Sequence, residues 1–272
     1  MENGVMANQQ INILQITDPH LFADPQQDLL GVVTYKSLQA VVEHALQTAK
    51  LHKPQLTVLS GDLSQDDSVE AYRNLTTLMS DFSPPIGWIP GNHDAPQLMQ
   101  QIFVNSPFSN QKHFILGNWQ ILLLDSHWSG HIKGFLAFEQ LQFLERMLQQ
   151  YQQHAVIFLH HPAFPVGSAW VDPHKLDNSD EFLAILSKFP QVRAVVCGHV
   201  HQESEQVKDG IQFISTPSTC IQFKPLSENF TLDTQMPGYR YLHLEPDGSL
   251  SSSLYRIDFN PSFLGNSQSQ GY

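Results

Sequence analysis

The sequence predicts an α/β fold. Three observations carry that prediction. Short apolar runs recur along the chain, amphipathic helical patterns separate several of them, and successive runs end in Asp, Asn or His. The runs are 11–17, 55–60, 86–89, 120–125, 155–159, 192–197 and 211–215. Each is brief, rich in β-branched and aliphatic residues, and bounded by Gly, Pro, Asp, Ser or His, as buried strands are.

The helices follow from a different period. In 37–49, Leu38, Val41, Val42, Ala45, Leu46 and Ala49 fall on one 3.6-residue stripe. In 68–82 the stripe is Val69, Tyr72, Leu75, Leu78, Met79 and Phe82, with Ser68 placed as its N-cap. Leu141, Leu144, Met147, Leu148 and Tyr151 mark a third helix, and 179–189 a weaker fourth capped by Ser179. The last third differs. "RYLHLEPDGSLSSSLYRI" reads as two strands about a Pro-Asp-Gly turn. No linker or repeat divides the chain, so the expectation is one domain over 1–260 and a polar, disordered tail over 261–272.

Composition narrows the function. There are 26 acidic against 14 basic residues, a net charge of −12, which disfavours a nucleic-acid or anionic-membrane partner. No apolar stretch reaches membrane-spanning length, and the N-terminal residues lack the basic and apolar regions of a secretory signal. Two cysteines, Cys197 and Cys220, make no disulfide framework, which suits a reducing cytoplasm. The partner expected is a small molecule; the oligomeric state is left open.

The strand ends carry the chemistry. Asp18 and His20 follow the first run, and Asp62 the second. Asn92, His93 and Asp94 follow the third, His160 and His161 a fourth, and His199 and His201 a fifth. In open α/β sheets such ends gather along one edge. Turn chemistry explains Asp or Asn singly, but it does not select imidazole at four ends out of five. Asp18 with His20, and His199 with His201, are spaced by two, so in extended backbone each pair faces one side. Carboxylate, amide and imidazole donors without thiolate suit Fe, Mn, Co or Zn. They are too many for one ion, and two ions sharing a carboxylate use them well.

Taken in order, D-x-H, G-D, G-N-H-D, a His two before Pro and G-H-x-H resemble the calcineurin-like metallophosphoesterases, over about residues 11–202. "ITDPHLFADPQQDLLGV", "CGHVHQE" and "TPSTCIQFKPLSENFTLDTQMPGYR" are similar to a narrower group, the bacterial class III 3′,5′-cyclic-AMP phosphodiesterases. The resemblance implies a four-layer αββα sandwich. It implies one metal on Asp18, His20 and His201, a second on Asn92, His160 and His199, and a bridging Asp62, with His161 structural. Iron paired with iron or manganese is the implied metal content, with Mn, Co or Zn as other occupants. The implied reaction is hydrolysis of 3′,5′-cyclic AMP to 5′-AMP by in-line attack of a hydroxide held between the ions, with His93 assisting the leaving group.

Two such ions, less Asp18, Asp62 and a hydroxide, leave about one positive charge for a phosphodiester, which accounts for a neutral Asn92. Asn92, His93 and His201 would meet the phosphate. Asp94 is expected to orient His93, to cap a short helix at Ala95-Pro96, or to do both. Trp170 and Phe223, with Trp128 as a further candidate, are the aromatic residues expected near the base. The competing readings are a broader phosphodiesterase acting on 2′,3′-cyclic nucleotides or glycerophosphodiesters, a nuclease, and a non-enzymatic scaffold. The charge argues against the nuclease, and the intact donor set against the scaffold.

Overall fold

Two six-stranded sheets carry the chain. In the computed structural model, residues 9–83, 85–105, 107–258 and 260 of the 272 are described. The tail expected over 261–272 lies outside the described residues. The first sheet runs in the order Leu250–Arg256, Gly238–Leu244, Ile11–Ile16, Leu56–Ser60, Ile86–Ile89, Phe108–Ser109. Its last four strands are parallel and the first two join antiparallel. The second sheet runs Ser204–Lys208, Ile211–Ser215, Val192–Cys197, His154–Phe158, Trp119–Leu123, His113–Leu116, with the four central strands parallel and both edges antiparallel.

Apolar side chains on both faces of the parallel strands make three cores. Ile11, Ile13, Val58 and Ile89 of the first sheet pack between the sheets against Ile121, Val156, Phe158 and Val196 of the second. The other face of the first sheet packs on helices α1 (Thr34–His52), α2 (Val69–Leu78) and α3 (Pro96–Ile102), through Leu38, Val41, Tyr72, Leu75 and Met99. The other face of the second sheet packs on α4 (Phe138–Gln150) and α5 (Ser179–Leu186), through Leu144, Leu148, Phe182 and Leu186. The layers are therefore αββα, as expected.

Local differences have local causes. Ser68 does cap α2, accepting from the Ala71 amide at 3.1 Å. Ser179 is not the cap of α5: it is the first helical residue, and Asn178 precedes it. The Asn178 amide instead clasps the backbone of Leu136, accepting its N–H and donating to its carbonyl. The strand Ser204–Lys208 has no apolar alternation because it is an exposed edge, and the Asp209-Gly210 turn after it takes φ of 52° and 80°. The Pro-Asp-Gly pair of strands forms as read, and it extends the first sheet.

On the outer edge of that sheet, the rings of His52 and His243 stand 5.3 Å apart. His243 bonds Asn12 Oδ1 and Ser253 Oγ, and His52 bonds the Tyr255 hydroxyl. Burial holds both histidines below the usual 6.5, and His52 adds to this for His243, with Glu245 opposing. The unfolded chain then binds more protons below about 6.5, so this pair's contribution is present above that pH and is lost as pH falls. The denaturation midpoint should drop between pH 7.5 and 5.5, and H243Q should flatten that drop. An unchanged slope in H243Q would remove the pair from the acid response.

Candidate metal centre

The sandwich brings the strand ends of both sheets to one edge. Asp18, His20, Asp62, His160 and His201 are fully buried there, and His199 nearly so. Donor atoms fall into groups within 4.8 Å of one another: Asp18 with His20 and His201, Asp18 with Asp62 and His160, His20 with Asp62 and His93, and His160 with His161 and His199. Nε2 of His20 is 3.1 Å from Nε2 of His201 and 3.8 Å from Asp62 Oδ2. Nε2 of His160 is 3.2 Å from the same carboxylate oxygen. The sequence-predicted donors thus converge. Asn92 sits between Gly91, which abuts Asp62 and His160, and His93, whose N–H donates to Asp62 Oδ1 at 2.9 Å.

The convergence is not made by extended backbone. Asp18, His20, Asp62, His199 and His201 all take φ between 47° and 66°, the left-handed region. Each such non-glycine residue costs on the order of 1–3 kcal/mol and persists only where its surroundings hold it. Here the loops hold one another. Asp18 N–H donates to the Gly61 carbonyl and His20 N–H to that of Asp62, both at 3.0 Å. His199 N–H donates to the Asp18 carboxylate at 3.1 Å. Gly91 and Gly198 make the approach possible. A Cβ on Gly91 would meet Asp62 and His160, and one on Gly198 would meet Thr17 and Asp18.

Three imidazoles are fixed in one tautomer. Nδ1 of His160 donates to the Ser60 carbonyl at 2.8 Å and Nδ1 of His201 to the Ile221 carbonyl at 2.9 Å. Nδ1 of His20 donates to Gln65 Oε1 at 2.6 Å. Each therefore turns its Nε2 inward, the arrangement metal-ligating histidines use. His161 differs despite its proximity: Nε2 donates to the Ile132 carbonyl at 3.0 Å and Nδ1 accepts from the Ser126 hydroxyl at 2.8 Å. With both nitrogens engaged, it has no lone pair to offer.

Electrostatics prepare the donors. Burial alone would raise the Asp62 carboxyl, but His160, His93 and His20 outweigh it and hold the group well below the usual range. Burial lowers His20 to about 3 and holds His199 well below its ordinary value, so both are neutral at neutral pH. Burial also opposes a charge on His160, yet Asp62 and Asp18 raise it to about 9. The residues fit bound cations on a further observation. Asp62 Oδ2, Asn92 Oδ1, His160 Nε2 and both ring nitrogens of His199 are buried without a hydrogen-bond partner. Carboxylate, amide and imidazole atoms left unpartnered around one space would be costly unless cations satisfy them. The donors form a His/Asp site with room for two metal ions.

Asp94 is buried beneath the Gly-Asn-His-Asp turn, and burial, then Asp62, raise it to about 7. Its oxygens accept from the amides of Gly91, Leu63 and Ser64 and from the Tyr72 hydroxyl. It ties the Asp62 loop to the His93 turn. The N-cap of α3 is Ala95, with Pro96 in the first turn, so Asp94 is not the cap. Phe223 is 1% exposed and stacks on His201, with centroids 4.2 Å apart. Trp170 packs edge-on against Phe223, and Trp128 stacks on His131. Sequence reasoning missed Gln65, Tyr72 and the Ser60 and Ile221 carbonyls. Only Gln65, three residues after Asp62, left a side chain that could have been noticed.

The fold and site define a dimetal phosphoesterase, and residues 11–203 match the calcineurin-like phosphoesterase family. The chain belongs to that family. It is 43% identical over 264 residues to the 3′,5′-cyclic adenosine monophosphate phosphodiesterase CpdA of Escherichia coli K12, covering 96% of this chain and 95% of that one. It is 36% identical to a 3′,5′-cyclic-nucleotide phosphodiesterase of Nostoc, covering 92% and 94% of the two. Among solved structures, a dimetal phosphatase from Danio rerio superposes with a TM-score of 0.64 at 16% identity, over 91% of this chain and 99% of that one. Yellow lupin purple acid phosphatase gives 0.61 at 13%, over 93% and 55%. These two show the shared fold.

G91A tests the close approach. The added methyl keeps the backbone allowed but displaces Asp62 or His160. Metal affinity, read by metal analysis after dialysis, should fall about tenfold or more, while the variant still unfolds cooperatively. Wild-type metal content would show that the site tolerates the extra carbon.

Proposed function

We propose that the protein hydrolyses 3′,5′-cyclic AMP to 5′-AMP. The observation that carries this reading is the near full-length similarity to CpdA together with a buried donor set in which no motif residue is missing. Asp18, His20 and His201 would hold one ion, Asn92, His160 and His199 the other, and Asp62 would lie between them. Iron with iron or manganese is the pair we expect. Bound ions supply positive charge for the phosphate and a water acidified to a pKa of about 7.

The chain's own residues do the rest. Asn92, neutral among anionic ligands, leaves the site a net attraction for a singly charged diester. His93, anchored through its N–H on Asp62, stands at the half-exposed rim of the site. It donates its proton to O3′ as the P–O3′ bond breaks and water oxygen adds to phosphorus. Asp94 is a positioning residue: it fixes the turn from which His93 departs. Phe223 backs His201. Among the described residues, no helix is long and apolar enough to cross a membrane. Cys197 and Cys220 are buried and free, which fits a reducing cytoplasm.

Protein loaded with manganese or iron should convert cyclic AMP to 5′-AMP. Exclusive 3′-AMP, or a higher kcat/KM on 2′,3′-cyclic nucleotides or glycerophosphodiesters, would replace this reading with a broader phosphodiesterase. H93A should retain its metal content and lose kcat by about 10²–10⁴-fold. Near-normal turnover would take His93 out of the chemistry.

A further inference from the structure

Two cavities lie beside the metal centre, and His201 is the one residue of the Asp, Asn and His motifs in their linings. One, of about 160 Å³, is mainly apolar, lined by Leu30, Val32, Ile221 and Met236 among others, with Gln222, Asp233, Thr234 and Gln235 as its polar members. The other, of about 250 Å³, is polar and lined by His201, Glu203, Gln222 and Arg256. They share Gln222, Asp233 and Gln235. The apolar cavity is bordered by two short ribbons, Asp28–Leu29 with Val32–Val33, and Gln222–Phe223 with Leu232–Asp233. The first ribbon follows Asp18 and His20 in the chain, and the second follows His199 and His201.

Both cavities are fastened to the metal centre. His201 lines the polar one, and the Ile221 carbonyl in the wall of the apolar one accepts from His201 Nδ1. The Ser218 hydroxyl donates to the Asp18 carbonyl, and the Cys220 amide donates back to Ser218. Gln222 is 3% exposed. Its Nε2 donates to the Ser218 carbonyl at 2.7 Å, while its Oε1 is buried with no hydrogen-bond partner. Such an acceptor is costly when left unmet.

We infer that the double cavity is the nucleoside subsite of the enzyme, with the ribose in the polar part beside His201 and the base in the apolar part, where its exocyclic amine donates to a turned Gln222 Oε1. This rests on the cyclic-AMP reading. The volumes agree: the apolar part is below the range of whole-ligand pockets and suits a base alone. Its mainly apolar lining suits a flat base better than a glycerol headgroup. Trp170 lines neither part, and Phe223 lines the polar part and not the apolar one, so neither serves as a stacking platform for the base. Phe223 spends its face on His201, and the Trp170 indole donates to Ser227 Oγ.

Calorimetric titration of the manganese-loaded full chain with 5′-AMP and 5′-IMP, which differ at C6, tests the subsite. AMP should bind at least tenfold more tightly than IMP, and Q222L should abolish the preference. Q222L also removes the Ser218 tie, so V32W, which fills the cavity from its rim, is a second probe. It should weaken AMP binding at least tenfold and raise KM for cyclic AMP more than it lowers kcat. Equal binding of AMP and IMP by the wild type, or wild-type AMP affinity in V32W, overturns the subsite. Hydrolysis assays separate the two ideas. A chain that cleaves cyclic AMP but ignores the C6 group loses the subsite alone, and one that prefers AMP without cleaving cyclic AMP loses the substrate reading alone.

Discussion

The Asp62 carboxylate organises the active edge of the sandwich. One oxygen accepts the His93 N–H, and the other faces His20 of the first sheet's loops and His160 of the second's. A carboxylate with no solvent exposure would be neutral if burial acted alone. The surrounding imidazoles keep it ionised, with His160 as the principal counter-charge. A cation held by these residues would take the place of the His160 proton and remove the need for that imidazolium. The site is therefore balanced in two ways, by protons or by metal. Because His20 and His160 belong to different sheets, whatever neutralises Asp62 also joins the sheets at that edge.

Several costs concentrate there. Five donors hold left-handed backbone, Gly91 and Gly198 give up side chains to close contact, and acceptors stand unmet. What offsets these costs lies elsewhere: apolar packing in three layers, each built from strands that are apolar on both faces. Polar ties also join the sheets, some of them fully buried. Gln15 donates to Ser60 Oγ and the Cys197 carbonyl, and its own oxygen accepts from Thr216. They set the relative height of the strand ends, and so the height of the donors, within the tolerance of a hydrogen bond.

All the parallel strands but Phe108–Ser109, and the donors, were legible in the sequence because each is written in side-chain type. Apolar runs with polar ends need no partner to be recognised. What escaped was written in backbone or in context. The Ser60 and Ile221 carbonyls fix two imidazoles, and a carbonyl carries no letter. Tyr72 fell on the apolar stripe of α2, and its ring does pack there, but its hydroxyl reaches Asp94. Ser204–Lys208 lacked alternation because only one edge of it is paired. The spacing of Asp18 and His20 gave the right convergence for the wrong reason, since Pro19 and Val200 each separate two left-handed residues and not two extended ones.

The chain's net charge of −12 would repel a nucleotide unless the field reversed locally. The ligand set does this for the phosphate. Two carboxylates and one neutral amide among the donors leave bound divalent ions undercompensated. Recognition of the remainder of a nucleotide cannot use the same device, because a base carries no charge at neutral pH. It requires shape and a directed acceptor. Gln222 provides one beside a mainly apolar cavity, where the unmet Oε1 makes the wrong base costly as well as the right base favourable. On the proposed reading, charge would select the diester, while a neutral amide one residue beyond the carbonyl that fixes His201 would select what is attached to it.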